Sequence, residues 1–430
     1  MTASSVFKDD RKLTYLNAEG ADKPLISPIA DDVLQRARAY RLGRFRAQLD
    51  ASNCAAMLLY DPCNIRYAFD CSNMQVWTLH NPMRCALILA GGPAIMFEFK
   101  GCMQQSEGLP GIDELRMAKT WMFMASGDKV ETATSDWADE IADLVNQYGG
   151  GNKRIACDSL DDSGVHALEA RGLTYVEGTQ YTEIARSIKS ADEIELMRWT
   201  IRVCEAGMAR IYEHSVPGVT ERELWAHLHF ENARSGGDWL ETKLLTCGSH
   251  TNPWYQECSD RVCQLREMIS FDTDMIGPYG YCADLSRSWT CGFTDMNDTQ
   301  QRLYDTALAQ IHHNLALVKP GVSFDEFNAN SWRIPDRHVP YRYSLAVHGV
   351  GMADEWPVVP LHVDWGPGAM SGQFEQGMVV CIESLIAEER SESIKLETQV
   401  LVLRLVMYEC LFCSLRHGAA LLQGEIGKPC

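Results

Sequence analysis

Long uninterrupted apolar runs are missing from these 430 residues. The most apolar late stretch, Val400 to Leu415, is broken by Arg404 and Glu409. It falls short of the roughly 18 residues that a spanning helix needs, so no membrane segment is expected. Met1 to Lys12 is polar and charged, without the apolar centre of a secretory signal, and a cytoplasmic location is the expectation. Basic charge is scarce: 39 Lys+Arg stand against 58 Asp+Glu, for a net charge of −19. No basic stripe forms, which argues against a nucleic-acid partner, and the acidity needs no explanation beyond solubility. A glycine-rich phosphate loop is also absent, so nothing points to nucleotide binding. The 16 cysteines lack the compact spacing of a disulfide framework and read as reduced, mostly buried thiols. Cys410 and Cys413 form a C-x-x-C without a second pair or a thioredoxin-like context, and read as structural.

What is present is the alternation of an α/β chain long enough for two domains. Asp32 to Leu49 has the spacing of an amphipathic helix, and Ala55 to Tyr60 that of a buried strand closed by Asp61-Pro62. Asn64 to Ala68 is a second strand candidate, followed by Ala86–Leu89 and Ala94–Phe97 around Gly91-Gly92-Pro93. Arg154–Cys157, a helix around His166 to Arg171, and Thr174–Val176 complete a first domain over residues 1–188. A second domain, 189–430, opens on Ser190-Ala191-Asp192-Glu193, a capping box that starts a helix running to about Ser215. Val216-Pro217-Gly218-Val219-Thr220 stops that helix and caps another. Lys319-Pro320-Gly321-Val322-Ser323 repeats the device about a hundred residues later, which predicts an internally duplicated α/β unit.

The chemistry gathers in this second domain. Met268 to Thr290 alternates apolar and polar residues across Gly277-Pro278-Tyr279-Gly280, a hairpin with Asp272 and Asp274 on one arm and Asp284 on the other. Residues two apart on a strand share a face, so Asp272 and Asp274 would look the same way and Asp284 could meet them. Standing alone, these would be turn or solvent-facing carboxylates. The second half adds His348 in His348-Gly349-Val350-Gly351, Glu383 ending the apolar strand Met378 to Ile382, and Glu397 inside the β run Ile394 to Val402. A carboxylate embedded in a buried strand is costly unless a cation or hydrogen bonds compensate. Asp272, Asp274 or both, with Asp284, His348, Glu383 and Glu397, therefore form a candidate ligand set. One imidazole among four or five carboxylates suits two bridged divalent ions such as iron, manganese, cobalt or zinc.

The order Asp, Asp, His-Gly-x-Gly, Glu, Glu, preceded by Ile188-Lys189-Ser190-Ala191-Asp192-Glu193-Ile194, resembles the pita-bread metallopeptidases and the metal-free creatinases. Asp61-Pro62-Cys63-Asn64-Ile65-Arg66-Tyr67 is similar to the N-terminal domain shared by creatinase and aminopeptidase P. The resemblance implies a creatinase-like α/β domain followed by a duplicated pita-bread catalytic domain. The departures are informative. The separation of Asp272 or Asp274 from Asp284 brackets the usual spacing. Asp354-Glu355 stands where those peptidases place a catalytic histidine before a glutamate. His250 is a poor match to their substrate-binding histidine.

Asp272-Thr273-Asp274, Asp354-Glu355-Trp356-Pro357, Asn73-Met74-Gln75-Val76-Trp77 and Lys395-Leu396-Glu397 resemble one offshoot of the fold, the dimethylsulfoniopropionate lyases of the DddP type. That resemblance implies a homodimeric, iron-containing enzyme that eliminates dimethyl sulfide and acrylate from a small zwitterion. Asp354 is then the candidate base for the proton beside the carboxylate. Trp77 and Tyr343, with His348, are the candidate substrate contacts, because a desolvated cation over an aromatic face gains about 1–2 kcal/mol. The alternative is an Xaa-Pro aminopeptidase or prolidase-like hydrolase. After Val402 the chain departs from both groups, running through Leu403-Arg404-Leu405-Val406 to Cys430.

Overall fold

Residues 30–186 and residues from 187 onward form two separate sets of contacts, and residues 24–29 belong with the second. The computed structural model describes residues 24–403 and the backbone of a two-residue strand at Glu409–Cys410. The expectations placed on Met1 to Lys12 and on the Cys410-Cys413 tail lie outside the described residues. No helix among the described residues is long and apolar enough to cross a membrane.

The first unit opens with α1 (Asp31–Ser52) and β1 (Ala56–Leu59), as the periodicity predicts. The next expectation fails: Asn64 to Ala68 is not a strand but part of α2 (Pro62–Phe69). Asp61 caps this helix, its carboxylate accepting from the Cys63 and Asn64 amides at 2.6 and 3.3 Å, and Pro62 occupies the first helical position, where its missing N–H costs nothing. A short helix, α3 (Gln75–His80), carries Trp77. There follow β2 (Cys85–Leu89), β3 (Ala94–Glu98), β4 (Glu114–Met117), α4 (Val130–Tyr148), β5 (Arg154–Cys157), α5 (Asp162–Glu169) and β6 (Thr174–Glu177). The six strands form one mixed sheet in the order β4-β3-β2-β1-β5-β6. β1 and β2 are buried throughout, which is why they read as continuous apolar runs.

In the second unit α6 (Ala191–Glu213) carries the expected capping box: Glu193 N donates to Ser190 Oγ, and Ser190 N donates to the Glu193 carboxylate. The second box, Thr220 with Glu223, starts α7 (Glu221–Arg234). Then come β7 (Trp239–Leu240), β8 (Leu245–Cys247), β9 (Met268–Phe271), β10 (Met275–Ile276), β11 (Cys282–Ala283) and β12 (Arg287–Thr290). The pattern recurs in α8 (Asp298–Leu315), α9 (Phe324–Asn330), β13 (Leu345–Val350), β14 (Asp354–Pro360), β15 (Val379–Ile386) and β16 (Ile394–Leu401). Two helices followed by strands thus appear twice. The later strands make an antiparallel sheet, β14-β13-β15-β16 with Glu409–Cys410 at its edge. One face of that sheet packs on α8 and α9 through Leu303, Ile311, Phe324, Phe327, Val347 and Val380. Residues 24–29 join this unit through Leu25 N to Ser235 Oγ, 3.3 Å, and a 2.7 Å hydrogen bond between the Ser27 and Tyr279 hydroxyls.

Candidate metal centre and substrate pocket

The expected hairpin forms, with β9 paired to β12 and β10 to β11, but neither arm is continuous. Asp272-Thr273-Asp274 and Asp284-Leu285-Ser286 both lie outside the ladder, so the expectation of aspartates on one regular strand is corrected. Thr273 takes over the missing backbone pairing: its hydroxyl donates to Ala283 O at 2.8 Å and accepts from Leu285 N at 2.9 Å. Asp274 adopts φ +35°, a backbone region that L residues seldom occupy. Its carboxylate is held by the Thr242 hydroxyl at 2.5 Å.

The second repeat meets this break from the other side. His348 lies in β13, and Glu383 lies within β15 rather than at its end. Cys381 pairs with His348 and Gln399, while Glu383 pairs with Glu397 directly across β15–β16. Two carboxylates facing each other on buried strands repel unless a cation lies between them. The glycines after His348 have a packing reason, since a side chain at Gly349 would collide with the Trp356 backbone and one at Gly351 with the Glu355 carboxylate.

Asp272, Asp274, Asp284, His348, Glu383 and Glu397 converge on one cavity of about 360 Å³. His348 Nε2 is 3.2 Å from Asp284 Oδ2, 3.1 Å from Glu397 Oε1 and 3.6 Å from Glu383 Oε1. Asp354 stands at the mouth with 57% of its side chain exposed, 3.8 Å from His348 Nδ1. Tyr343 lines the same wall. Trp77 is in the other unit, half-buried and 5.8 Å from the ring of Phe99. His250 does not line the cavity; its Nδ1 is 2.9 Å from Glu221 Oε1.

Several residues at the site were not among the candidate site residues, although Lys395 lies in a passage that carries the resemblance. Trp254 and Tyr255 line the cavity, and Tyr255 packs against Tyr343 with ring centroids 5.5 Å apart. Lys395 is fully buried, 2.8 Å from Asp272 Oδ2, 2.9 Å from Glu397 Oε2 and 3.0 Å from Glu383 Oε2. Strand alternation could have found both Lys395 and Cys381, because each stands two residues before a recognised glutamate and so shares its face.

The electrostatics show a strained acidic cage. Burial, and then the neighbouring carboxylates Glu397, Asp272 and Asp274, raise the Asp284 carboxyl far above its ordinary range. Burial and Asp272 do the same to Asp274. Burial carries Glu383 up to about 8 against the opposing pull of Lys395. Burial would also raise Glu397, but Lys395 and His348 outweigh it and hold that carboxyl well below the usual range. Asp284 Oδ1 and Glu383 Oε1 are buried without a hydrogen-bond donor. Asp284, His348, Cys381 and Glu397 each bring a donor atom within 4.8 Å of the others, and Asp274, Asp284 and Asp354 form a second such group. Buried polar atoms left without donors are rare, and orphaned oxygens facing an imidazole fit divalent cations, with Asp284 common to both groups.

The metallopeptidase family M24 pattern matches residues 195–404. A protein of Roseobacter denitrificans named dimethylsulfoniopropionate lyase DddP is 40% identical over 373 residues, covering 85% of this chain and 83% of that one. Its namesake in Roseovarius nubinhibens is 40% identical over 377 residues, covering 86% and 84%. The chain belongs to the DddP family. Solved structures share the fold more widely. A prolidase from Pyrococcus horikoshii superposes with a TM-score of 0.69 at 17% identity, covering 87% of this chain and 98% of that one. A prolidase from Thermococcus sibiricus gives 0.70 at 18% identity, covering 88% and 97%. The pita-bread architecture expected from the ligand order is therefore the observed fold.

Proposed function

We propose that this protein is a metal-dependent carbon–sulfur lyase that cleaves dimethylsulfoniopropionate to dimethyl sulfide and acrylate. The observation that carries the reading is Asp354 at the mouth of the acidic cavity, in a chain 40% identical over most of its length to two DddP lyases. Asp272, Asp274, Asp284, His348, Glu383 and Glu397 would hold two divalent ions. When bound, these ions supply Lewis-acid stabilisation of the negative charge that develops on the substrate carboxylate. Histidine and carboxylates with the Cys381 thiol beside them suit iron, the proposed metal, or cobalt or zinc, better than magnesium or calcium.

The remaining steps belong to the chain itself. Asp354 takes the proton from the carbon beside the carboxylate. The electron pair of that C–H bond becomes the C=C bond of acrylate as the C–S bond breaks, and its electrons leave on dimethyl sulfide. The proton passes from Asp354 to water. In the metal-free chain, partial desolvation at the pocket mouth, then Glu397 and Asp272, raise the Asp354 carboxyl against the opposing effects of His348 and Lys395, although more than half of the side chain still meets solvent. Tyr343, backed by Tyr255 and beside Trp254, offers aromatic surface to the sulfonium. Trp77 is retained as a proposed substrate contact, tested by a rise in KM in Trp77→Ala.

A homodimer in the cytoplasm completes the proposal. Exposed Met74, Val76 and Leu79 around Trp77 support a packing surface, and the absence of disulfides among the described cysteines supports a reducing compartment. The deciding experiment incubates metal-loaded protein with dimethylsulfoniopropionate and, separately, with an Xaa-Pro dipeptide. Dimethyl sulfide release is expected. Cleavage of the dipeptide without dimethyl sulfide would replace this reading with the hydrolase alternative.

A further inference from the structure

Lys395 lies on β16 two residues before Glu397 and shares its face of the strand. It is completely buried, an expensive place for an ammonium unless anions and acceptors surround it. Here they do. Its Nζ donates to Asp272 Oδ2 at 2.8 Å, Glu397 Oε2 at 2.9 Å and Ser286 Oγ at 2.9 Å, and lies 3.0 Å from Glu383 Oε2. Ser286 Oγ in turn donates to the same Glu397 oxygen at 2.7 Å.

The oxygens are sorted. Glu397 Oε1 and Glu383 Oε1 face His348 Nε2, at 3.1 and 3.6 Å, while the Oε2 atoms of both face Lys395. We propose that Lys395 is a positioning residue that engages one oxygen of Asp272, Glu383 and Glu397, so that each offers only its other oxygen to the metal pair. The inference rests on the metal-dependent reading above and deepens it. Its charge consequence is simple: five ligand carboxylates carry one more negative charge than two divalent cations neutralise, and Lys395 supplies the missing positive one. Single-oxygen ligation also leaves coordination positions open for the carboxylate of the substrate. On its other side Lys395 Nζ lies 5.1 Å from the centroid of Tyr343 and 5.9 Å from that of Trp254, so the same ammonium fixes the aromatic wall against the acidic cage.

The test uses the full chain stripped of metal and reloaded with cobalt(II). Bound cobalt is counted by elemental analysis, and coordination is read from the intensity of the visible d–d bands. Wild type is expected to bind two cobalt ions per chain with the strong bands of low coordination number. Lys395→Met should retain cobalt but show weaker bands, as the released oxygens add ligands, and its KM for dimethylsulfoniopropionate should rise at least tenfold. Lys395→Arg, which keeps the charge, should recover part of both. Wild-type bands in a Lys395→Met protein with the wild-type cobalt count would overturn the proposal. If Lys395→Met does not fold, Lys395→Arg and Ser286→Ala carry the test, with altered bands supporting the sorting of oxygens and unchanged bands in both overturning it. A wild-type chain that takes up no cobalt would overturn the metal-dependent reading itself, a result distinct from these.

Discussion

Asp354 and Thr242 both line the acidic cavity and are expected to fail differently when changed. Asp354→Ala should lower kcat for dimethyl sulfide release by about 10²–10⁴-fold, the span of general-base catalysis, with bound metal near wild type by elemental analysis. Loss of metal in that variant would instead make Asp354 a ligand, a role open to it because it shares a 4.8 Å group with Asp274 and Asp284. Its pKa is raised above the ordinary 3.8. The base is inactive when protonated, so kcat/KM of the metal-loaded enzyme should fall as pH drops through the pKa of Asp354, and Asp354→Ala should remove that acid limb. Thr242→Val removes the hydroxyl that holds Asp274 Oδ2. The expected result is a 10–100-fold loss of metal affinity in a chelator competition, typical for a hydrogen bond behind a ligand.

The helix α2 and the broken hairpin show where local pattern and tertiary context part company. Asn64 to Ala68 has strand-like apolar content, yet Asp61 and Pro62 set up a helix start that decides the segment. The capping signal was in the sequence and outranked the apolar run. Asp61→Ala should cost about 1 kcal/mol of local stability, read as roughly fivefold faster amide exchange over residues 62–69. The capping boxes at Ser190 and Thr220 were legible because their signal is short-range, and the candidate ligands Glu383 and Glu397 were legible because charge inside an apolar strand is conspicuous. The break at Asp272-Thr273-Asp274 was not. A side chain replacing backbone hydrogen bonds leaves the alternation intact while the ladder stops. Lys395 was passed over because a lysine on a strand ordinarily means solvent, although it shares the face of Glu397, and the folded site brings three carboxylates around it.

For the molecule as a whole, the acidic cage makes stability depend on metal and on pH together. Stripping the metal should lower Tm, and restoring it at a hundred times its Kd should return about 2.7 kcal/mol for each site filled. In the metal-stripped protein Glu383 has a folded pKa of about 8 against an ordinary 4.5. The folded state keeps a proton that the unfolded chain releases. That stabilisation is full below about pH 4.5 and is lost as pH rises through about 8. Tm of the stripped protein measured by calorimetry should therefore fall across this window, and metal loading should flatten the trend. The division of the proposed ligands between the two repeats also bears on how the protein is made. Asp272, Asp274 and Asp284 leave the ribosome well before His348, and Glu397 comes last, 125 residues after Asp272. At 5–20 residues per second that interval is roughly 6–25 s. For the first 76 of those 125 residues the nascent chain holds an acidic half-site with no imidazole, so metal capture waits for the second repeat.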